Sequence, residues 1–437
     1  MKYSILIAMT CLAAISVPPV QAQALASEVP ASPLPSAKLA LGAIEVTPEV
    51  QAAAAALARA EADARLRAVG PHETHITVTP QRRRLDGGPT YNEWEAGLSR
   101  GVRWPGKARL DREIGASGVQ EARLNLADAH HAGARRLLTL WSVWQRARVV
   151  AQQQHKQVEI WERDRKAIAR RVQLGDAAER DRTAADAALA QERAAALQAD
   201  ADADSARRML ASAYPGLPLP ARMRLGSQPP VLQGNDADWS QWIVQRSHEI
   251  SAAEARVHTR EREARRARAD RLADPTIGVR VLNDLGGRER AVGLVLSMPI
   301  GVRQRGARAA VAEAEVLAAQ AEAAMVRRDV ASDAREVVAR ARAIHAIWRS
   351  LSQALLAARD SARKAERAYA LGESGLGDLL AARRLEREAA LAERRAAVDA
   401  IEAVERVRID AHELWHHHTG GSDPEEHPGH ELRLPDM

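Results

Sequence analysis

One cysteine and no phenylalanine occur in 437 residues. The cysteine, Cys11, lies inside a short apolar stretch, residues 5–15, that follows Lys2 and is broken by Pro18 and Pro19. The small-x-small triplets Val20-Gln21-Ala22 and Ala22-Gln23-Ala24 come next, so residues 1–24 read as a cleavable secretory signal. A lipoprotein would need cleavage just before Cys11. Ala8 and Thr10 flank that point poorly, and the apolar stretch would be truncated. Once the signal is removed no thiol remains, which excludes disulfides and thiolate chemistry. Aromatic residues make up 3% of the chain, too few for the thick core of a globular enzyme. Lysine occurs only at Lys2, Lys38, Lys107, Lys156, Lys166 and Lys364, and the net charge is just +6 because arginines and acids interleave. Interleaved charge marks solvated helix faces. No arginine stripe with stacking aromatics appears, which argues against a nucleic-acid partner. No later run is long and apolar enough for a transmembrane helix, so any crossing of a membrane must be made by strands.

What is present is a composition led by Ala, Arg, Glu and Leu, which favours long helices. Pro30, Pro33 and Pro35 make residues 25–45 an extended leader. A helix fits 47–67. His75, Thr77 and Thr79 then alternate with Ile76 and Val78, a strand pattern, and Arg82-Arg83-Arg84 with Asp86-Gly87-Gly88-Pro89 reads as an exposed turn. A second strand fits 91–102. Residues 107–174 contain no proline and read as one helix, with Leu137, Trp144, Ala151 and Val158 spaced by seven and Trp141 between them. Gly175 stops it, a second helix covers 177–212, Pro215 and Pro218 break that, and a third covers 238–272. The plan then recurs: strands at 275–282 and 291–300 around Asn283-Asp284-Leu285-Gly286-Gly287, and a proline-free helix at 306–371. Its apolar seam is Val330, Val337, Ile344 and Leu351 with Ala334, Ala341, Trp348 and Leu355. Gly372 and a last helix over 376–416 follow, then a polar tail from Thr419.

The duplication holds residue by residue. Leu174-Gly175-Asp176 matches Leu371-Gly372-Glu373, and Asp181 matches Asp378 at the same offset. Ser99-Arg100-Gly101-Val102 matches Ser297-Met298-Pro299-Ile300 at an offset one residue larger. The chain divides into signal 1–24, first repeat 25–235, second repeat 236–418 and tail 419–437. Each long helix spans about 100 Å at 1.5 Å per residue, whereas a globular domain of this size is about 40–50 Å across. The expected fold is mainly α with a small β part: a long antiparallel coiled-coil barrel with hairpins at one end. Four strands cannot close a barrel and open edges are forbidden in lipid, so three chains would share a transmembrane barrel of twelve strands. Tyr91, Trp94 and Trp104 would mark its interface girdles. The alternative is that the hairpins are soluble β-structure capping a coiled coil.

This order of strand pair, long helix, Leu-Gly-acid turn and returning helix, all twice, resembles the TolC-type outer-membrane factors. The segment from Ala368-Tyr369-Ala370-Leu371-Gly372-Glu373 to Asp378-Leu379-Leu380 is similar to that family's periplasmic tip, and Asp274-Pro275 with Ser297-Met298-Pro299-Ile300 to its second strand pair. The resemblance implies a passive efflux channel in the outer membrane extending into the periplasm, with no cofactor. It implies a homotrimer in contact with outer-membrane lipid, docked on a periplasmic adaptor and an inner-membrane resistance-nodulation-division pump. Length and the His-rich end lean toward the CzcC-like branch and divalent metal export, with multidrug efflux as the alternative. Gly175, Gly372, Asp181 and Asp378 become tip residues, and three-fold symmetry would make Asp378 a ring of carboxylates. Against this, Asp378 can equally be a helix N-terminal acid that complements the dipole. TolC itself has an Arg near the position of Ser374 and an Asp at that of Ala381. Neither is here, so its interhelix locks do not carry over.

His412-Glu413-Leu414-Trp415-His416 spells the HExxH of zinc proteases, which on a helix puts two imidazoles on one face. Thr419 stands where the longer metzincin pattern needs glycine, and little chain remains to build a cleft, so catalysis is not expected. His412, His416, His417 and His418, with His427 and His430 beyond, are candidate metal ligands, because neutral imidazole suits zinc, copper and nickel. Two further rivals are a periplasmic adaptor, disfavoured because adaptors carry one hairpin, and a soluble coiled-coil scaffold.

Overall fold

A computed structural model describes residues 34–84, 86–220 and 228–416. Two short helices open it, α1 (Ala37–Glu45) and α2 (Pro48–Val69), followed by strands β1 (Thr74–Arg84) and β2 (Thr90–Gly101). Helix α3 (Lys107–Gln173) and α4 (Glu179–Ala213) form the first long hairpin. Then come α5 (Asp236–Arg246), α6 (His248–Ala269), β3 (Thr276–Asp284), β4 (Glu289–Ser297) and the second hairpin of α7 (Val302–Ala370) and α8 (Leu376–Asp410). The 67 residues of α3 and 69 of α7 extend about 100 Å at 1.5 Å per residue. The shorter helices cover them in two tiers. In the half next to the strands, α2 packs on α3 and α6 lies between α3 and α7; in the far half, α4 pairs with α3 and α8 with α7.

The seams found in the sequence face the packed side, with Val158, Val337, Ile344 and Leu351 half-buried and the rest buried. Leu137, Trp141, Trp144 and Ala151 on α3 and Ala334, Ala341, Trp348 and Leu355 on α7 are all below a tenth exposed. The thickest core lies at the waist, where the tiers meet. Ile44 and Val50 pack there with Leu137, Trp141, Leu210, Tyr214, Ile409 and Trp415. A second waist core joins Trp239 and Ile243 of α5 to Val338, Val404 and Val407.

Several boundaries differ from the sequence reading. The leader is helical from Ala37. Strand β1 runs on through Arg84, because Arg83 pairs with Tyr91 in register and its guanidinium reaches Glu93 at 3.2 Å, where a turn was expected. The single helix expected over 238–272 is broken at Ser247, whose hydroxyl accepts the Ile250 N–H and caps α6. The last helix ends at Asp410, not at His416.

Candidate functional site

The four strands form one antiparallel sheet in the order β1-β2-β3-β4, leaving β1 and β4 as open edges. Opposed residues in an antiparallel ladder share a face. Ile76, Leu98, Val279 and Leu294 make one row across the sheet, and Val78, Ala96, Val281 and Val292 the next. Pro80 and Trp94 extend this face at one end, Ile277 and Leu296 at the other. Val292, Leu294 and Leu296 are 75–85% exposed, with no cover from the chain itself. The opposite face, in the interleaved rows, carries His75, Thr77, Thr79, Glu95, Ser99 and Arg280, with glycine at Gly97, Gly278 and Gly293. Trp94 on β2 and Val102 just past its end are eight positions apart, about 26 Å at 3.3 Å per residue. Trp104 continues beyond, its indole N–H donating to the Ala273 carbonyl.

Polar anchors hold the sheet at both ends. At the helix end, Lys107 donates to the Leu272 carbonyl at 2.7 Å and to Asp274 at 2.8 Å, and Asp274 also meets His72 at 2.9 Å. At the turn end, buried Glu93 accepts from Gln81 of β1 at 2.9 Å and from the Leu285 N–H of the other hairpin at 3.1 Å.

At the far end of the rod both long hairpins turn in the same way. Gly175 and Gly372 have φ of +80° and +75°. Gly175 N–H donates to Val172 and Asp176 N–H to Arg171, while Gly372 N–H donates to Tyr369 and Glu373 N–H to Ala368. This pair of bonds is the Schellman closure, with the left-handed residue just past the helix. The two turns lie side by side through Ile168, Ala185, Leu376 and Leu379. Arg171 stacks on the Tyr369 ring at 4.5 Å and donates to its carbonyl at 3.0 Å, an interhairpin contact that sequence reading missed. Asp181 is partly exposed beside Arg180, and Asp378 is exposed in the first turn of α8.

At the waist a third feature gathers histidines. His248 opens α6, and His412 and His416 follow α8. Their ligating nitrogens lie within 4.8 Å of one another. His412 stacks on His416 at 4.6 Å and on His248 at 4.5 Å between ring centroids, and His131 of α3 meets His412 edge-on at 4.9 Å. Asp128, Glu249 and Asp410 share the small cleft with His131, His248 and His412.

No family model matches the sequence, and no curated protein matches it. Solved structures do. The outer-membrane channel OprN is 18% identical, covering 87% of this chain and 90% of its own, with a TM-score of 0.74. CusC, described for the changes that accompany folding and transmembrane channel formation, is 14% identical over 88% of this chain and 97% of its own, TM-score 0.72. The outer-membrane channel MtrE of Neisseria gonorrhoeae, in its open state, is 19% identical over 86% and 88%, TM-score 0.69. The chain has the outer-membrane channel fold.

Within the channel fold, the surroundings of His412 and His248 disfavour their charged forms. Burial first, then the neighbouring His131, His248, His416 and Arg246, pushes His412 down to about 3. Burial and His131 likewise lower His248. Burial alone would raise Asp410, but a hydrogen bond from His131 and the charges of Arg135 and Arg406 hold it at about 2. Burial, then Glu249, raises Asp128. Of the histidines expected as ligands, His412 and His416 meet here, while His417 and His418 lie outside the described residues. His248 was missed because it sits far away in the chain; its signal was a Ser-His-Glu helix start inside an otherwise continuous helical pattern. The HExxH segment is not helical, and Glu413 is exposed with Arg408 3.8 Å away.

Proposed function

We propose that this chain is one of three subunits of an outer-membrane duct that passes cargo without catalysis, the exit element of a tripartite efflux assembly. The observation that carries this reading is the two-faced sheet. Its apolar face has no partner within the chain and its polar face is rich in glycine and hydroxyls, the alternation of strands that separate lipid from an aqueous lumen. Two open edges on a four-stranded sheet demand neighbours on both sides, since unpaired backbone groups cannot face hydrocarbon. Three copies give twelve strands and a water-filled barrel, and no described helix is long and apolar enough to cross a membrane instead. Helices about 100 Å long that leave one end of the sheet would then form the periplasmic tunnel, and the glycine turns at their far ends are where a periplasmic adaptor, coupled to an inner-membrane resistance-nodulation-division pump, would dock.

The cargo we assign is divalent metal cations, as in the CzcC-like branch. Asp378 is exposed at the tip, and a three-fold ring of carboxylates favours cations through weak, reversible contact. The test is a deletion strain. The protein should be found in the outer-membrane fraction of the parent strain, and the deletion strain should become more sensitive to zinc, cobalt, cadmium or copper. Sensitivity to organic drugs alone would move the cargo to the multidrug class and leave the duct intact.

A further inference from the structure

We propose that His248, His412 and His416 form a site for one divalent transition-metal ion of the zinc, cobalt, nickel and copper class, and that the ion pins the end of α8 to the corner between α5 and α6. The site does not depend on what the duct carries.

Three separate observations meet here. The first is convergence: the three imidazoles come from two elements of the waist and bring their nitrogens within 4.8 Å of one another. Two nitrogens on one tetrahedral zinc lie about 3.3 Å apart, so the rings must turn out of their stacked arrangement to close the set, leaving a fourth position for water.

The second is the backbone of His412. Its N–H donates to the Ile409 carbonyl and the Glu413 N–H to that of Arg408, the same Schellman closure found after α3 and α7. There the left-handed residue is glycine. Here it is a histidine at φ +61°. An L-residue is disfavoured in that conformation, and a bulky side chain kept in such a position points to a task for the side chain.

The third is an orphan atom: His412 Nε2 is buried and has no hydrogen-bond partner. Burying a nitrogen without a partner is costly, and such a group in a native fold calls for an explanation. A metal–nitrogen bond supplies it. Asp128, Glu249 and Asp410 line the same cleft and outnumber the one arginine that lines it, Arg135, which pairs with Glu249 and Asp410. His131 lies 3.5 Å from Asp410 and holds its ring against that of His412, which makes His131 a positioning residue. All-imidazole donors select the first-row ions named above over magnesium or calcium.

The experiment uses the mature full-length protein in detergent, stripped with a chelator and titrated with Zn²⁺ and, in parallel, Co²⁺. Wild type should take up one tight ion per chain, gain thermal stability, and show the intense visible absorption of four-coordinate Co²⁺. Residues 417–437 add His417, His418, His427 and His430, so a variant with all four changed to Gln is needed; it should keep the tight ion. H248A should weaken Zn²⁺ by more than about 100-fold, beyond the loss expected from an outer-sphere partner. H412G should lose the ion as well, yet melt without metal at or above the wild-type temperature, because glycine accepts the left-handed backbone. That separates a lost ligand from a lost fold. Wild-type Zn²⁺ affinity in both H248A and H412G, or its loss in the tail variant alone, would overturn the site.

Discussion

Lys107 Nζ lies 2.8 Å from Asp274 Oδ1, so the first residue of α3 is tied to the residue that leads into the second strand pair. Only 3% of the lysine side chain and 10% of the aspartate is exposed. Burial alone would raise Asp274, but hydrogen bonds from Lys107, His72 and the Trp104 N–H outweigh it and lower the group from 3.8. A carboxyl lowered in the folded state adds stability above its unfolded value and loses it as pH falls through the folded one. Lys107→Met should cost about 3 kcal/mol in chemical denaturation, since it removes the buried cation that faces Asp274. Asp274→Asn should cost less, because Lys107 keeps Asp270 and the Leu272 carbonyl. It should also flatten the loss of stability below about pH 4.

The tip glycines make a graded prediction. A Cβ at Gly175 or Gly372 would meet nothing within 4 Å, so the whole cost of substitution is backbone conformation. Gly372→Val should cost about 1–2 kcal/mol and lower efflux-dependent resistance. Gly372→Asn, which tolerates the left-handed region, should lie close to wild type. Equal effects of Val and Asn would show that shape at the tip, and not φ, matters there.

The two sheet faces should answer oppositely to charge. Leu294→Arg adds a cation to the apolar face and should cost about 2–4 kcal/mol near the bilayer midplane, seen as loss of the heat-modifiable oligomer from membranes. Thr77→Arg, in the neighbouring row but on the other face, should assemble normally.

Tyr214 links the first repeat to itself at the waist: its buried hydroxyl donates to the Gly133 carbonyl at 2.7 Å. Tyr214→Phe should cost about 1 kcal/mol at neutral pH, the usual worth of such a bond. Burial pushes the phenol up to about 12 from an ordinary 10.0. A raised acid loses its contribution as pH climbs from the unfolded value through the folded one. Wild type should therefore lose stability between about pH 10 and 12 by a path that the Phe variant lacks, narrowing the gap between them.

Asp378→Asn tests the cargo. Three carboxylates removed together should lower cation conductance in planar bilayers while leaving an open pore; unchanged cation preference would take Asp378 out of the conduction path.

Much of this molecule was legible in its sequence because period and punctuation carry it. Seven-residue spacing from Leu137 to Ala151, glycine at 175 and 372, and alternation from His75 to Thr79 each have a local cause that survives folding. What escaped has a non-local cause. The waist site joins His248 to His412 and His416, which no window of sequence brings together. The end of α8 at Asp410 has neither glycine nor proline to announce it, since His412 takes the left-handed place. The strand through Arg82, Arg83 and Arg84 reads as a turn until Glu93 is seen across the ladder. The Arg171–Tyr369 contact needs both hairpins. Sheet faces were half visible: alternation in one strand was plain, but only the register shows that the four strands put most of their apolar residues on one side, with Leu282 and Val295 on the other.

The account stands on three chains completing one barrel. Light scattering coupled to size-exclusion chromatography, on the mature protein extracted in detergent, measures this most directly. Three copies per detergent-solubilised particle are expected. A stable monomer that stays in solution without detergent would contradict it.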